Sequence, residues 1–454
     1  MPANVISLSR RGLLATAAAA VAVPGYAEEP PTLVIRNAAL LTTAHASPMA
    51  ADVAVRGGRI IEIGQIQNFA AGTEVIDGAG CLLLPGLIDT HWHMWNTAAR
   101  GLSSSPKGGF APTMAAISGL FTPQANALGV RLALAEAVHG GITTVHNWAH
   151  NTRSPAHAEA EFAAMAESGV RGRFAYGYAQ DLRRDRPMDL EHLRQLARVR
   201  KAGLIDLGVC ARGPDRSDDA VWQAEWDTAR ALGLSISTHI ASDAAAAALG
   251  GIGKLRAREG LGRDIQLVHM TTASDAEIAT VVETGTAVSL SPWTELEVGY
   301  GLPPIARLHA AGARLGLSVD NLVLSGAADM FSVMKLTADL AGGMDRRQGA
   351  VPDATALDWA TRGGADTLGY DNVGEIREGS RADLILVRTD AINTSPAKDA
   401  ASLLVRSARP ETVDTVIIDG VVHKRNGRLA RVDVPALMDE AQSIIRRLRS
   451  DAGI

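Results

Sequence analysis

The sequence predicts an α/β fold, a parallel eight-stranded (β/α)8 barrel carrying a small discontinuous β-sandwich built from both ends of the chain. Three observations predict it. Through the middle of the chain, short β-prone runs alternate with alanine-rich amphipathic helices, the signature of a parallel sheet with helical crossovers. Turn-broken strands without such helices stand before and after that middle. Several of the central runs end on a histidine or an aspartate, and a barrel of this kind collects its functional side chains at the C-terminal ends of its strands.

The first 27 residues read as a targeting segment rather than fold. Ser9-Arg10-Arg11-Gly12-Leu13-Leu14 looks like a twin-arginine export signal, and it is followed by the mostly apolar run Leu13 to Val23 and a small-x-small site at Gly25-Tyr26-Ala27. The expectation is passage through the twin-arginine machinery, cleavage after Ala27 and a periplasmic or secreted location. The apolar run is too short to span a bilayer, so no stable membrane anchor is expected.

Residues 28–84 hold the N-terminal part of the expected sandwich, with strands at Thr32 to Asn37, Asp52 to Ile61 and Thr73 to Asp77. Residues 373–430 hold its C-terminal part, with strands at Ala382 to Val387 and Val413 to Gly420. The pairs Gly57-Gly58 and Asp419-Gly420 mark hairpin turns. Between them, residues 85–372 form the barrel, with strands expected near 87–93, 141–147, 172–178, 204–212, 234–241, 265–271, 287–293 and 314–321. A C-terminal helix occupies 431–454.

The first barrel strand ends in Pro85-Gly86-Leu87-Ile88-Asp89-Thr90-His91-Trp92-His93. Residues two apart on a strand point to the same side, so His91 and His93 can present both imidazoles to one point, most simply a metal ion. A lone His-x-His is a weak signal. Three later strands follow the same plan, closing on His239, His269 and Asp320. A histidine at one strand end is ordinarily a satisfied core residue and an isolated aspartate ordinarily a turn or cap. The joint pattern, in this order and with helix-sized gaps, is much harder to explain as packing.

With these residues in view, the sequence resembles the amidohydrolase superfamily, specifically its cytosine deaminase and triazine hydrolase branch. The resemblance rests on residues 85–93, Gly-Ile-Thr-Thr-Val at 141–145, His239, His269, Ser-Val-Asp at 318–320 and Gly-Glu-Ile-Arg-Glu-Gly-Ser-Arg-Ala-Asp-Leu at 374–384. These markers are specific for the superfamily and not for a substrate.

Neutral imidazoles with one carboxylate suit zinc, with iron or manganese as alternatives. His91, His93, His239 and Asp320 are the expected ligands, and His269 is either a further ligand or a donor to the attacking water or the substrate. A bound metal lowers the pKa of its water to roughly 7. Asp320 then stands where it can take the water proton and pass it to the leaving group. Members with two metals usually bridge them with a carboxylated lysine at the end of the fourth strand. Here that strand reads Leu204 to Arg212 without a lysine, so one divalent metal ion is expected.

The departure with most consequence follows His239. Deaminases of this branch usually place a glutamate three residues beyond this histidine, whereas this chain has Ser242. A serine hydroxyl cannot shuttle a proton at neutral pH as a carboxylate does. That favours hydrolysis of an amide, carbamate, urea or related non-peptide C–N bond over deamination of a purine, pyrimidine or triazine-like ring, which stays as the alternative. Glu295 after the seventh strand, or Asp243 beside Ser242, could supply the missing carboxylate; the simpler reading of each is a solvated loop charge.

Around the site, Trp95, Trp148 and Trp293 all follow strand ends and could line an aromatic pocket, with ordinary packing equally compatible. Arg212 could bind a substrate carboxylate or carbonyl, or form a structural salt bridge. His146 reads as a supporting or core residue. The Gly- and Ser-containing segment 98–126 sits where a lid would be, and its composition is equally that of a surface loop.

Composition fits a large enzyme on a small-molecule substrate. Of 454 residues, 47% are hydrophobic and 20% charged, enough for a sizeable core. The net charge of −5 and the lack of a basic cluster with interleaved aromatics argue against a nucleic-acid partner. Cys81 and Cys210 fall in different expected domains, which argues against a disulfide or a thiolate metal site. A homo-oligomer is compatible with the resemblance. A non-catalytic binding protein on the same fold is the remaining alternative, and it would have no need of five convergent ligand candidates.

Overall fold

The computed structural model describes residues 30–199, 201–396 and 399–454, so the expected export signal lies outside the described residues. The central strands are β1 (Leu87–Trp92), β2 (Ile142–Ala149), β3 (Arg171–Tyr176), β4 (Ile205–Cys210), β5 (Ile236–Ile240), β6 (Ile265–His269), β7 (Ala287–Leu290) and β8 (Arg314–Leu317). They pair in chain order, all parallel, with helices in the connections. This is the (β/α)8 barrel expected from the sequence. All eight residues of β2 are buried, as a strand covered on both faces must be.

The barrel closes at its functional end. Trp92 bridges Asp320 in parallel, the His93 N–H donates to the Asp320 carbonyl at 2.7 Å, and the Asp320 N–H donates to the His91 carbonyl at 3.0 Å. Regular β8 stops at Leu317, four residues short of the expected end, and Asp320 beyond it adopts a φ of +58°.

Inside the barrel a hydrogen-bonded polar layer supports the site from below. Thr90 Oγ1 lies 2.7 Å from Ser289 Oγ, Gln266 Nε2 donates to the Thr90 carbonyl at 3.1 Å, and Ser237 Oγ donates to Gln266 Oε1 at 3.0 Å. Buried polar atoms are tolerated when paired in this way.

Two sheets from the ends of the chain form the second body. One has the order Arg59–Gly64, Asp52–Arg56, Leu33–Arg36, Glu74–Asp77. In the other, Cys81–Pro85 pairs antiparallel with Leu384–Arg388, joining N- and C-terminal segments in one ladder. Leu33, Ile35, Val53 and Val55 pack against Leu83, Leu384 and Ile417 between the sheets. Complete burial of such a side chain contributes about 1.5–3 kcal/mol. Both expected hairpins form, with Arg56 opposite Arg59 and Ile418 opposite Val421. Arg171 of β3 docks this body on the barrel, donating to Asp383 and, at 2.7 Å, to Asp419. Helix Val434–Ala452 packs Leu437 and Ala441 against Leu128 and Ala135 of helix Pro123–His139. Cys81 and Cys210 are both free and buried. Among the described residues no helix is long and apolar enough to cross a membrane.

Candidate metal centre

β1 presents His91 on its last turns of pleat and His93 just past its end, both inward. Asp89, also on β1, holds this strand to the eighth: its Oδ1 accepts from the His91 N–H at 3.1 Å and its Oδ2 from the Val319 N–H at 2.8 Å. Burial pushes the Asp89 carboxyl well up, against the pull of those two N–H groups. β5 delivers His239, β6 delivers His269 as its last residue, and the turn after β8 delivers Asp320.

Four of these side chains converge. His91 Nε2 lies 3.2 Å from His239 Nε2 and 3.3 Å from Asp320 Oδ1, and His93 Nε2 lies 3.2 Å from the same oxygen. One ligand atom from each of His91, His93 and His239 falls within 4.8 Å of the others. His269 stands at the edge, its Nε2 3.8 Å from Asp320 Oδ2.

This donor set fits a metal ion. Tetrahedral bonds of about 2.1 Å put neighbouring ligand atoms about 3.4 Å apart, close to the separations here. Metal-binding imidazoles must be neutral. Burial pushes the His91 pKa down and those of His93 and His239 well down, with crowding by His150 and His91 adding to the effect at His93 and the charge of Arg216 at His239. Burial raises the Asp320 carboxyl, but the pull of His91 and His269 outweighs it and leaves the group below the usual carboxylate range. The His93 Nδ1 faces the Trp148 carbonyl at 3.3 Å, which directs the Nε2 lone pair into the cluster. Unprotonated nitrogens facing each other at 3.2 Å repel unless a cation lies between them.

Backbone strain gathers at the same place. His269 (φ +76°), Met270 (+51°), Asp320 (+58°) and Ala241 (+46°) all lie in the left-handed region. Each non-glycine residue there costs about 1–2 kcal/mol, and such strain concentrates at functional sites.

The two candidate carboxylates part company. Glu295 is fully buried behind His269, its Oε1 3.2 Å from His269 Nδ1 and accepting from the Ser291 N–H at 2.9 Å. Burial raises its carboxyl, opposed by the bond to His269. It is therefore not a solvated loop charge, and it orients His269 from behind rather than facing the cavity. Asp243 caps helix Ala244–Ala247, accepting from the Ala246 N–H at 2.8 Å. His146 sits below the site with Nδ1 3.0 Å from the Thr90 carbonyl.

Above the cluster opens a cavity of about 420 Å³, lined by His93, His239, His269 and Asp320 together with His150, Tyr178, Arg212, Arg216 and Tyr300. Phe110 and Ala111, from helix Phe110–Ser118 within the expected lid segment, also reach its rim.

The three tryptophans correct the expected aromatic pocket, for none of them lines this cavity. Trp148 lies behind the histidines, its ring 4.0 Å from that of His239, and Nε1 donates to Ser237. Trp95 is buried against Phe121, with its Nε1 donating to His150 Nδ1 at 3.2 Å. Trp293 points away, 39% exposed, donating to Ser332 on another helix. The strand end places each tryptophan near the mouth, but the side chain's direction is decided by its hydrogen-bond partner.

Arg212 also differs from its expected substrate-binding role. Its guanidinium donates to the carbonyls of Leu182, Arg183 and Arg186, lies 3.6 Å from Glu225 and stacks over Tyr178. It clamps the loop after β3 through Nη1 and Nη2 and borders the cavity. The sequence reading missed His150, Tyr178, Arg216 and Tyr300. His150 had a signal, the period-two series His146-x-Trp148-x-His150 that runs off the end of β2; its ring lies 4.1 Å from that of His93.

Known proteins share this architecture and sequence. The chain is 27% identical over 400 residues to a 5-methylthioadenosine/S-adenosylhomocysteine deaminase of Dictyoglomus thermophilum, covering 84% of this chain and 91% of the relative. It is 26% identical over 437 residues to an 8-oxoguanine deaminase of Pseudomonas aeruginosa, covering 89% and 96%. A zinc-bound adenosine deaminase structure from Xanthomonas campestris superimposes with a TM-score of 0.83 at 25% identity, covering 93% of this chain and 99% of that one. An atrazine chlorohydrolase of Arthrobacter aurescens shares the fold, with a TM-score of 0.80 at 20% identity, covering 91% and 100%. The amidohydrolase family profile matches residues 82–422, and with that match over most of its length the chain belongs to the amidohydrolase family.

Proposed function

We propose that this amidohydrolase uses one divalent metal ion, zinc in the first instance, to hydrolyse a non-peptide C–N bond of a small molecule, an amide, carbamate, urea or related group. The observation that carries the reading is the convergence of His91, His93, His239 and Asp320 at 3.2–3.3 Å beneath a closed-in cavity. These four residues would hold the ion. The metal supplies a Lewis acid and a water acidified to a pKa of about 7.

The remaining steps belong to the chain's own groups. Asp320 accepts the proton of the attacking water as oxygen bonds to the carbon, and returns it to the nitrogen as the C–N bond breaks. The products are a carbonyl compound or acid and an amine or ammonia. His269, held by Glu295 at Nδ1, points its Nε2 toward Asp320 and polarises the substrate's carbonyl or leaving group. His150 accepts from Trp95 at Nδ1, so its own N–H stands on Nε2 as a donor toward the cavity it lines.

Ring deamination is the second reading, favoured by the deaminase names among the relatives. Ser242 weighs against it. Glu295 does not restore the missing shuttle, because His269 separates it from the cavity. We further propose twin-arginine export to the periplasm, which rests on residues 9–27 alone; a lysine pair in place of Arg10 and Arg11 would hold the chain in the cytoplasm. Homo-oligomerisation is open to sedimentation analysis.

The deciding experiment is elemental analysis of the purified protein with an ammonia- and amine-release screen of amides, ureas, carbamates and amino-heterocycles. About one zinc per chain, lost with activity in His91→Ala, supports the proposal. Turnover confined to amino-heterocycles would move the assignment to deamination. A metal-free, inactive protein after reconstitution would leave a binding protein.

A further inference from the structure

The cavity wall carries a cation that makes no close ion pair among the described residues. Arg216 ends the short helix Gly213–Arg216 after β4, and its half-buried guanidinium lines the cavity together with Tyr178 and Tyr300. It reaches Ser242 Oγ at 3.5 Å and shares the cavity wall with Tyr300. Among the described residues no carboxylate oxygen lies within 4.0 Å of it. The other arginines drawn into the barrel are all paired: Arg171 with Asp383, Arg173 with Asp206, Arg212 with Glu225 at 3.6 Å.

Neighbouring acids attract the guanidinium without reaching it, Asp215 among them. Asp215 Oδ2 accepts from the Ala241 N–H at 2.8 Å, and Asp320 Oδ1 is held between His91 and His93. A guanidinium taken partly out of water and left unpaired is costly, and more so beside a metal centre. An acid at position 242 would neutralise it. The buried, neutral Ser242 leaves it free.

We infer that Arg216 is the specificity-determining residue of this site and that the substrate carries a carboxylate, which pairs with its guanidinium while the C–N bond faces the histidine cluster. The inference rests on the hydrolase reading and names its substrate class. A planar guanidinium matches a carboxylate with two parallel hydrogen bonds, and the phenols of Tyr178 and Tyr300 flank the same wall.

The test is isothermal titration of the zinc-loaded protein with matched pairs, N-carbamoylglycine against N-carbamoylglycinamide and benzoate against benzamide. The carboxylate member is expected to bind about 10- to 100-fold tighter, the range of a charge-assisted pair. Arg216→Gln should abolish that preference while changing the affinity of the neutral member less than about threefold. Ser242→Glu, which sets a carboxylate against the guanidinium, should abolish it with Arg216 still present. A preference that survives in both variants means that the metal alone holds the anion, and it overturns the inference. So does equal binding of both members to the wild type. Neither readout requires turnover. Equal binding with zinc content and hydrolysis intact sinks only the carboxylate assignment, whereas anion preference without turnover sinks only the hydrolase reading.

Discussion

Glu295 Oε1 stands 3.2 Å from His269 Nδ1, with both side chains buried, so His269 is gripped from behind and presents its other nitrogen to Asp320. The same oxygen accepts from the Ser291 N–H, which fixes the glutamate in turn. Groups that orient a catalytic histidine in this way are worth about 10- to 100-fold. Glu295→Gln should therefore lower kcat within that range, leave metal content unchanged and move KM little. Steady-state kinetics with metal analysis on the same preparation checks this; an unchanged kcat would remove Glu295 from the machinery.

Asp320, the carboxylate proposed to hold the metal and carry the proton, has a left-handed backbone at φ +58°. Asparagine tolerates that conformation better than alanine does. Asp320→Asn and Asp320→Ala should both lose activity, but the metal-free alanine variant should be less stable than the asparagine variant by about 1 kcal/mol. Urea unfolding of the two apoproteins measures the difference. Equal midpoints would mean that the turn after β8 relaxes and stores no strain.

Much of this arrangement was legible in the sequence because strand periodicity and strand order are local signals. His91 and His93 sit two apart on a strand, and His239, His269 and Asp320 each close a β-prone run, so their common location follows from the barrel alone. Side-chain direction at the rim was not legible. Trp293 turns outward to Ser332, and Arg212 turns sideways to three loop carbonyls, contacts made by residues 26 to 39 positions away. Arg216 gave no signal at all, because a charge four residues past a strand reads as solvated until Tyr178, Ser242 and Tyr300 are brought around it.

Gly213 opens the helix that carries Arg216. Its φ is +67°, and a Cβ there would lie 2.4 Å from Thr238 Oγ1, on the strand next to the ligand His239. Both the left-handed backbone and the overlap disfavour a side chain. Gly213→Ala should destabilise the protein by about 1–3 kcal/mol and should raise KM more than it lowers kcat, because the wall moves and the histidine cluster does not. A thermal-unfolding curve superimposable on the wild type would show that the helix yields without cost.

Glu161 provides the clearest pH signature. Fully buried, it accepts hydrogen bonds from Asn126 Nδ2 at 2.8 Å and Asn147 Nδ2 at 2.9 Å. Burial raises its carboxyl from 4.5 to about 7, against the downward pull of the two asparagines. Between those values the native protein binds more protons than the unfolded chain, so this group's contribution is complete below pH 4.5 and is lost as the pH rises through 7. The difference of 7 − 4.5 = 2.5 units corresponds to about 3 kcal/mol. Glu161→Gln lacks the titrating group, while every other ionisable side chain is common to both proteins. The stability of the wild type relative to the variant should therefore fall by up to about 3 kcal/mol between pH 4.5 and 7.5 and stay level above that. Urea midpoints of both proteins across this window decide it. Parallel curves would place the Glu161 carboxyl at its ordinary pKa, ionised by its two asparagine donors despite complete burial.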